Sequence, residues 1–188
     1  MLTPHITMDT LSFIKVAIKD YKVGAIATSS RYTVQQIVRE LDSKHKYIVE
    51  YGAGDGVITK EILKTLPANG KLVAVEMNQD LLRELRTIKD HRLIVAEGDV
   101  IKLSHDFSQF NLPRIDVIIS GIPFTFLEPK KRKILITNTH SAIAKGGVFI
   151  VYQVSPLIFP LLKKYFANVR LRFEPRNLPP YFIMLAEK

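Results

Sequence analysis

The chain contains no cysteine, which excludes disulfide bonds and thiolate metal sites. Its five histidines are scattered without the spacing of metal ligands. Neither a phosphate-binding P-loop nor a Gly-x-Ser-x-Gly nucleophile turn is present. No apolar run approaches the length of a membrane span, and the N-terminus lacks the long apolar stretch of a secretory signal. Nothing in the sequence argues for export, so we expect a cytoplasmic location.

The 188 residues correspond to one domain of ordinary size, and 47% of them are hydrophobic, which is ample for a core. The formal net charge is +9. Such an excess favours an anionic partner, either nucleic acid or a membrane surface rich in anionic lipid. Charge alone does not choose between the two.

From residue 46 onwards, short apolar runs that fit strands alternate with longer segments that fit helices. Predicted strands cover 46–51, 71–76, 92–96, 115–119, 148–154, 169–173 and 181–185, and predicted helices cover 57–66, 79–89, 129–144 and 156–166. This alternation predicts an α/β fold with a mostly parallel sheet and right-handed crossovers. The last two strands read as a C-terminal antiparallel hairpin, which makes seven strands in all.

The segment before the first strand has a different pattern. Residues 9–22 fit a helix with a broad apolar arc and a basic stripe formed by Lys15, Lys19 and Lys22. This pattern suits a helix lying at a membrane interface, and it equally suits an ordinary helix packed on its own domain. A second helix is predicted at 33–41, with Ser29 or Ser30 as its cap.

We therefore divide the chain into N-terminal helices that face the membrane or substrate (1–45) and a core (46–188), within one compact unit.

A glycine-rich turn joins the first predicted strand to the first core helix. Residues 49–56 read VEYGAGDG, in which Gly52, Gly54 and Gly56 follow an acidic residue. Glycines allow the chain to bend sharply and present bare amides to a ligand. A dinucleotide fingerprint would place its third glycine at position 57, which is Val57. The spacing therefore favours a different nucleoside-binding turn.

Suitable residues also follow the next three strands. Glu76 ends the second strand, where a carboxylate can accept the hydroxyls of a ribose. Asp99 follows the third strand. The fourth strand runs into Ser120-Gly121-Ile122-Pro123-Phe124. Four strand ends that each carry a suitable residue are a far more specific signal for a nucleoside-binding site than one glycine turn.

Together these motifs resemble those of the class I S-adenosylmethionine (SAM) methyltransferases, which have a Rossmann-like fold. In that pattern the turn is motif I, the acid after the third strand faces the adenine amine, and 120–124 is motif IV, where the methyl acceptor lies beside the sulfonium. The resemblance implies SAM as the cofactor. It implies contacts with Glu50, Tyr51, Gly52, Gly54, Gly56, Glu76, Met77, Asp99, Val100 and Ser120.

Two methyltransferase families are similar to this chain. The ribosomal RNA adenine dimethylases share the motif I pattern and carry an N-L-P-[YF] motif IV. Here the corresponding residues are Gly121, Ile122, Pro123 and Phe124, so the proline and aromatic are kept but the asparagine is missing. An asparagine amide oxygen would hold an exocyclic amine, and its loss argues against adenine as the acceptor.

The bacterial phospholipid N-methyltransferases show the longer resemblance, over roughly residues 10–186. It includes VGAIATSSR (23–31), SGIPFTFLEPKKRKIL (120–135) and RNLPP (176–180). This resemblance implies transfer of methyl groups to the amine of phosphatidylethanolamine or a related aminolipid, by a peripheral membrane enzyme. RNA methylation is the alternative, and a SAM-binding protein without catalysis is a third hypothesis.

Expected acceptor contacts come from motif IV and from aromatic side chains, since a methylated ammonium favours π faces. The candidate catalytic residues are Ser120, Gly121, Pro123, Phe124 and Tyr21. Tyr152 and Tyr181 are further candidates for aromatic walls, with core packing as the alternative for each aromatic. An anionic membrane surface is expected to meet residues 9–22 and Lys130–Lys133, and Arg176 is a second candidate for a lipid phosphate.

Overall fold

The computed structural model describes residues 30–188, and seven strands form a single sheet within them. The strands are β1 (Tyr47–Tyr51), β2 (Lys71–Glu76), β3 (Leu93–Glu97), β4 (Val117–Ser120), β5 (Val148–Gln153), β6 (Asn168–Glu174) and β7 (Tyr181–Glu187). Their order is β3-β2-β1-β4-β5-β7-β6. The first five strands pair in parallel, whereas β7 is antiparallel to both β5 and β6. The predicted mixed sheet with a C-terminal antiparallel hairpin is confirmed.

Six α-helices connect or flank these strands in the described part of the chain. They are α1 (Arg31–Val38), α2 (Val57–Thr65), α3 (Gln79–Leu85), α4 (Val100–Leu103), α5 (Pro129–Ala142) and α6 (Phe159–Tyr165). Short 3-10 turns cover Ser108–Phe110 and Phe124–Phe126. The predicted helix at 9–22 lies outside the described residues.

Helix boundaries show where local chemistry overrides periodicity. Helix α1 begins at Arg31 rather than 33 because Ser30 caps it, accepting a 3.3 Å hydrogen bond from the Thr33 amide. Helix α3 was predicted to reach residue 89. It ends at Leu85, and the amides of Thr87 and Ile88 beyond it bond three residues back instead of four. Helix α6 starts at Phe159 rather than 156, after a turn closed by the Phe159 amide and the Pro156 carbonyl. Helix α4 was not predicted.

The core lies on both faces of the sheet, because successive strand residues alternate between the faces. One face packs against α4, α5 and α6, and the other packs chiefly against α1 and α2. Val34 and Ile37 of α1 are buried in the same cluster as Ile58 and Ile62 of α2. Helix α1 therefore packs on the core, and the division of the chain at residue 45 stays a prediction.

No helix in residues 30–188 is both long enough and apolar enough to cross a membrane.

Candidate active site

The glycine loop lies at the carboxyl end of β1, where Gly52, Gly54 and Gly56 have φ values of 70°, 60° and 80°. These left-handed conformations are open to glycine and rarely adopted by other residues. The amides of Gly52 and Ala53 donate to the Val75 carbonyl at 2.9 and 3.0 Å, which ties the loop to β2. A side-chain carbon built on Gly54 would meet no atom of the described residues within 4 Å. The loop therefore leaves open space above its backbone, as a bound nucleoside requires.

The carboxylate of Glu76 is fixed against this loop from the end of β2. One oxygen accepts a 2.9 Å hydrogen bond from the Gly54 amide, and the other accepts from Met77 and Asn78 amides at 2.8 and 2.9 Å. The side chain of Met77 is exposed, so Met77 takes part here through its backbone. A ribose that approaches the loop would meet an acceptor whose orientation is already set.

Glu50 is fully buried beneath the loop, on β1. Its Oε2 accepts a 2.6 Å hydrogen bond from the Thr59 hydroxyl, and its Oε1 has no hydrogen-bond partner among residues 30–188. Burial raises the pKa of Glu50 to about 8, and the negative charges of Glu76 and Asp55 add to the effect. At neutral pH this carboxyl is therefore mostly protonated in the structure described here.

The neighbouring Tyr51 directs its side chain into the core. Its hydroxyl lies 3.2 Å from the Thr139 hydroxyl, and burial raises the pKa of Tyr51 above its usual value. Only its backbone faces the loops, where its carbonyl accepts a hydrogen bond from the Gly121 amide at 3.1 Å. Any contact of Tyr51 with a cofactor is thus a backbone contact.

Asp99 and Val100 form the junction between β3 and α4. Asp99 caps α4, because its carboxylate accepts a 2.8 Å hydrogen bond from the Ile101 amide. Val100 is buried in the core cluster below. The acid predicted to face an adenine amine is therefore at the correct edge of the sheet, and it explains the unpredicted helix as well.

The acceptor loop, residues 120–124, follows β4 beside the glycine loop. Ser120 is buried, and its hydroxyl oxygen accepts a 3.3 Å hydrogen bond from the Ile122 amide. The Phe124 amide donates to Gln153 Oε1 at 3.0 Å. Gln153 is buried at the end of β5, and sequence reasoning missed its role. A polar residue ending the apolar run VFIVYQV was the available signal.

Phe124 does not line an open surface. Its side chain is fully buried, and its ring lies 6.4 Å from that of Phe149 in an edge arrangement. Pro123 starts the 3-10 turn, with its carbonyl accepting from the Phe126 amide at 3.0 Å. In this structure the aromatic of motif IV packs in the core. Tyr21, the other aromatic among the candidate catalytic residues, lies outside the described residues.

Arg132 is not part of the basic surface expected at Lys130–Lys133. Its guanidinium donates to the carbonyls of Phe124, Thr125 and Leu127 at 2.8, 3.1 and 2.8 Å. It therefore holds the end of the acceptor loop, and the exposed part of this basic cluster consists of lysines.

The segment RNLPP connects the hairpin to the start of α1. Asn177 is buried, and its Oδ1 accepts from the Ser30 amide at 2.8 Å and from the Thr33 hydroxyl at 3.0 Å. Arg176 pairs with Glu174 at 2.7 Å and lies 4.1 Å above the Tyr32 ring. The guanidinium that we expected to meet a lipid phosphate is thus already paired within the protein.

Among residues 30–188, no three His, Asp or Glu side chains are grouped so that they could hold a metal ion. The fold and the glycine loop, with acids at the next two strand ends, define a class I SAM-dependent methyltransferase. The sequence model of the ribosomal RNA adenine dimethylase family matches residues 27–137, which is more than half of the chain. The chain belongs to this family, and SAM is its cofactor.

Curated relatives fall into two groups. An ornithine lipid N-methyltransferase of Singulisphaera acidiphila is 29% identical over 162 residues, which is 84% of this chain and 84% of that protein. A ribosomal RNA small subunit methyltransferase of Arabidopsis thaliana is 33% identical over 111 residues, covering 56% of this chain and 28% of that protein. The chain thus aligns with less than a third of the length of this second relative.

Solved structures share the fold at low sequence identity. The precorrin-6y C5,15-methyltransferase of Geobacter metallireducens aligns with 86% of this chain and 92% of its own, with a TM-score of 0.67 and 16% identity. PigF with SAH (S-adenosylhomocysteine) aligns with 91% of this chain and 58% of its own, with a TM-score of 0.65 and 21% identity.

Proposed function

We propose that this methyltransferase transfers methyl groups from SAM to the amine of a membrane aminolipid such as phosphatidylethanolamine. The observation that carries the proposal is the similarity to a lipid N-methyltransferase, which extends over 84% of both chains. The family match to adenine dimethylases ends at residue 137, within α5. Similarity beyond that point therefore favours the lipid relative.

Motif IV gives independent support. The adenine dimethylases resembled by this chain carry an asparagine where Gly121 stands, and its amide oxygen would grip the exocyclic amine of adenine. Gly121 has no side chain to do so. The side chains of Gln153 and Arg132 hold the acceptor loop in place, because both form hydrogen bonds with its backbone. The absence of an asparagine side chain at position 121 therefore weighs against adenine as the acceptor.

SAM supplies a methyl group activated by a positively charged sulfur. We assign its site to the ends of β1, β2 and β3, with the glycine loop below it, Glu76 at the ribose and Asp99 at the adenine. Placing the amine and the methyl in line supplies much of the rate in such a transfer.

The acceptor amine must be neutral to react. An alkylammonium has a pKa of about 10, and a desolvated site lowers it, so that the proton leaves to solvent. The nitrogen lone pair then forms the bond to the methyl carbon while the carbon–sulfur bond breaks, and its electrons stay on sulfur. Ser120 and Gln153 are buried, so an amine held beside them would be desolvated.

Exposed apolar side chains at the same edge of the sheet support membrane contact. Phe126 follows β4, Leu157 follows β5 and Leu178 precedes β7, and they are 48%, 48% and 89% exposed. These three strands are neighbours in the sheet, spaced by about 4.8 Å, and β7 is antiparallel, so all three residues lie at the carboxyl edge. We name them the apolar rim.

Lysines accompany the apolar rim at the start of α5, where Lys130, Lys131 and Lys133 are exposed. Apolar side chains that insert and lysines that meet phosphates are the two components of binding to anionic membranes. We propose that this edge faces the membrane together with residues 9–22.

Incubation with labelled SAM tests the acceptor. Phosphatidylethanolamine vesicles, ornithine lipid vesicles and total ribosomal RNA are offered separately at matched protein concentration, with Glu76→Ala as the inactive control. We expect label in a lipid and none in RNA. Labelling of RNA without any labelling of aminolipid would overturn the proposal in favour of RNA methylation.

Vesicle flotation tests the membrane surface. Leu178→Ser combined with Leu157→Ser should weaken binding to phosphatidylglycerol vesicles. Leu171→Ser is the matched control, because Leu171 is 41% exposed on β6, away from the loops of the carboxyl edge. Equal binding by the wild type, the double variant and the control would show that the apolar rim does not contact the membrane.

A further inference from the structure

The ring of Tyr152 stands directly beside the acceptor loop. Tyr152 is at the carboxyl end of β5 and is only 7% exposed. A side-chain carbon built on Gly121 would lie 2.2 Å from the Tyr152 hydroxyl oxygen and 2.6 Å from the ring carbon that bears it. The hydroxyl therefore occupies the space into which any side chain at position 121 would project.

Position 121 is where the resembled adenine dimethylases carry the asparagine of motif IV. In this chain glycine removes that side chain, and a hydroxyl from the neighbouring strand fills its place. We propose that Tyr152 is the acceptor-positioning residue, whose Oη accepts a hydrogen bond from an N–H of the substrate amine. This inference rests on the proposed function, because it assigns a residue to the amine of that substrate.

The chemistry of a phenol suits this task. The hydroxyl group has one O–H donor, and its oxygen can also accept hydrogen bonds. It can therefore accept a hydrogen bond from an amine N–H while its own hydrogen bonds to another group. The amine has already lost its excess proton to solvent, and Tyr152 takes no proton. By holding one N–H, the hydroxyl turns the nitrogen lone pair toward the methyl group.

Successive methylations remove the N–H bonds on which this hydrogen bond depends. A neutral primary amine has two N–H bonds, its monomethyl product has one, and its dimethyl product has none. The hydroxyl of Tyr152 can therefore orient the primary amine and its monomethyl product, but it cannot orient the dimethyl product. A residue that only shapes the pocket would affect all three acceptors alike.

The experiment compares Tyr152→Phe with the wild type on vesicles of phosphatidylethanolamine and its monomethyl and dimethyl forms. We expect kcat to fall at least about tenfold for the first two and to stay within about twofold for the third. SAM affinity should stay within about twofold, because the ring remains in place. Tyr47→Phe is the matched control, since Tyr47 is at the opposite, amino end of β1.

A second variant keeps the inference testable if fewer than three methyl groups are transferred. In Gly121→Ala the new methyl must displace the Tyr152 hydroxyl, so its rate loss should be at least that of Tyr152→Phe. The double variant should lose little more than Gly121→Ala alone, because both changes remove the same interaction.

Equal losses on all three acceptors, or additive losses in the double variant, would overturn the role of Tyr152 and leave the proposed function standing. A wild-type protein that methylates no aminolipid would overturn both.

Discussion

The Thr59 hydroxyl donates a 2.6 Å hydrogen bond to Oε2 of Glu50, while Oε1 of the same buried carboxyl meets no donor in the described part of the chain. A carboxylate in this position lacks the solvation that it would have in the unfolded chain. The folded protein consequently retains a proton on Glu50 under conditions in which the unfolded chain has lost it.

This proton makes stability depend on pH. The pKa of Glu50 rises from 4.5 to about 8 on folding. The folded state binds more protons in that window, so the free energy of unfolding falls as pH rises, by up to roughly 1.4 kcal/mol per pH unit. Glu50→Gln keeps an acceptor for Thr59 and removes the titration. Denaturant melts between about pH 5 and 8 should show a flatter profile for the variant. Parallel profiles would contradict the assignment.

Glu76 should control SAM affinity. Glu76→Ala removes the proposed ribose acceptor and leaves the amides of Gly54, Met77 and Asn78 without it. We expect a loss on the order of 1–3 kcal/mol in binding, measured by calorimetry. Glu97→Ala is the control, because Glu97 pairs with Glu76 in register but bonds only to the exposed Gln79 and Arg86 side chains. Equal affinities for the two variants would remove Glu76 from the site.

Asn177 should contribute strongly to stability. Asn177→Ala removes the acceptor of the Ser30 amide and the Thr33 hydroxyl, both at the start of α1, and the donor to the Pro179 carbonyl. Buried groups left unpaired cost about 1–3 kcal/mol each. Asn168→Ala, which removes one exposed hydrogen bond to Glu187, should cost much less. Chemical denaturation measures both, and similar losses would show that Asn177 does not link the two segments.

Arg132 and its lysine neighbours should have separable effects. Arg132→Ala removes the guanidinium bonds to the carbonyls of Phe124, Thr125 and Leu127, at and just after the end of the acceptor loop, so we expect lower stability and slower methyl transfer. Vesicle binding should persist in that variant. We would measure a thermal melt and vesicle flotation on the same sample, and weakened vesicle binding without loss of stability would contradict the assignment of Arg132 to the acceptor loop.

The triple change of Lys130, Lys131 and Lys133 to Ala should weaken vesicle binding and leave stability nearly unchanged. These exposed lysines make few contacts within the protein, so stability should change by less than about 0.5 kcal/mol. Each lysine near an anionic surface contributes about 1 kcal/mol, so binding to anionic vesicles should fall steeply and should weaken further at high salt. Unchanged flotation would exclude this surface from membrane contact.

Periodicity and turn chemistry predict the strand positions well, because buried parallel strands are short apolar runs between Gly, Pro or charged residues. The run 71–76 matches β2 at both ends. The acids at the strand ends are also predictable, since a motif places Glu76 and Asp99 at one edge of a parallel sheet. Helix ends are less predictable, because they depend on caps such as Asp99, whose bond to an amide is not visible in periodicity.

Long-range polar contacts are the part that sequence could not supply. In the sequence, Arg132 looks like one more surface charge in the run PKKRK, yet its guanidinium donates hydrogen bonds to three backbone carbonyls. Arg176 reads as a phosphate ligand, yet Glu174 holds it. The burial of Phe124 and the approach of Tyr152 to Gly121 likewise depend on how neighbouring strands pack. Such contacts are set by tertiary structure, which a single sequence does not display.

The strand order places β1 to β3, with the glycine loop and its acids, on one side of the sheet and β4 to β7 on the other. The bonds that fix the glycine loop run from the Gly52 and Ala53 amides to the Val75 carbonyl and from the Gly54 amide to Glu76, so they lie within the first set, while β1 also pairs with β4 of the second. Side chains at the ends of β4, β5 and β7 can therefore change the methyl acceptor while the bonds that hold the glycine loop are kept. A family model named for ribosomal RNA and a relative named for a lipid fit this division between a shared nucleoside site and a variable acceptor site.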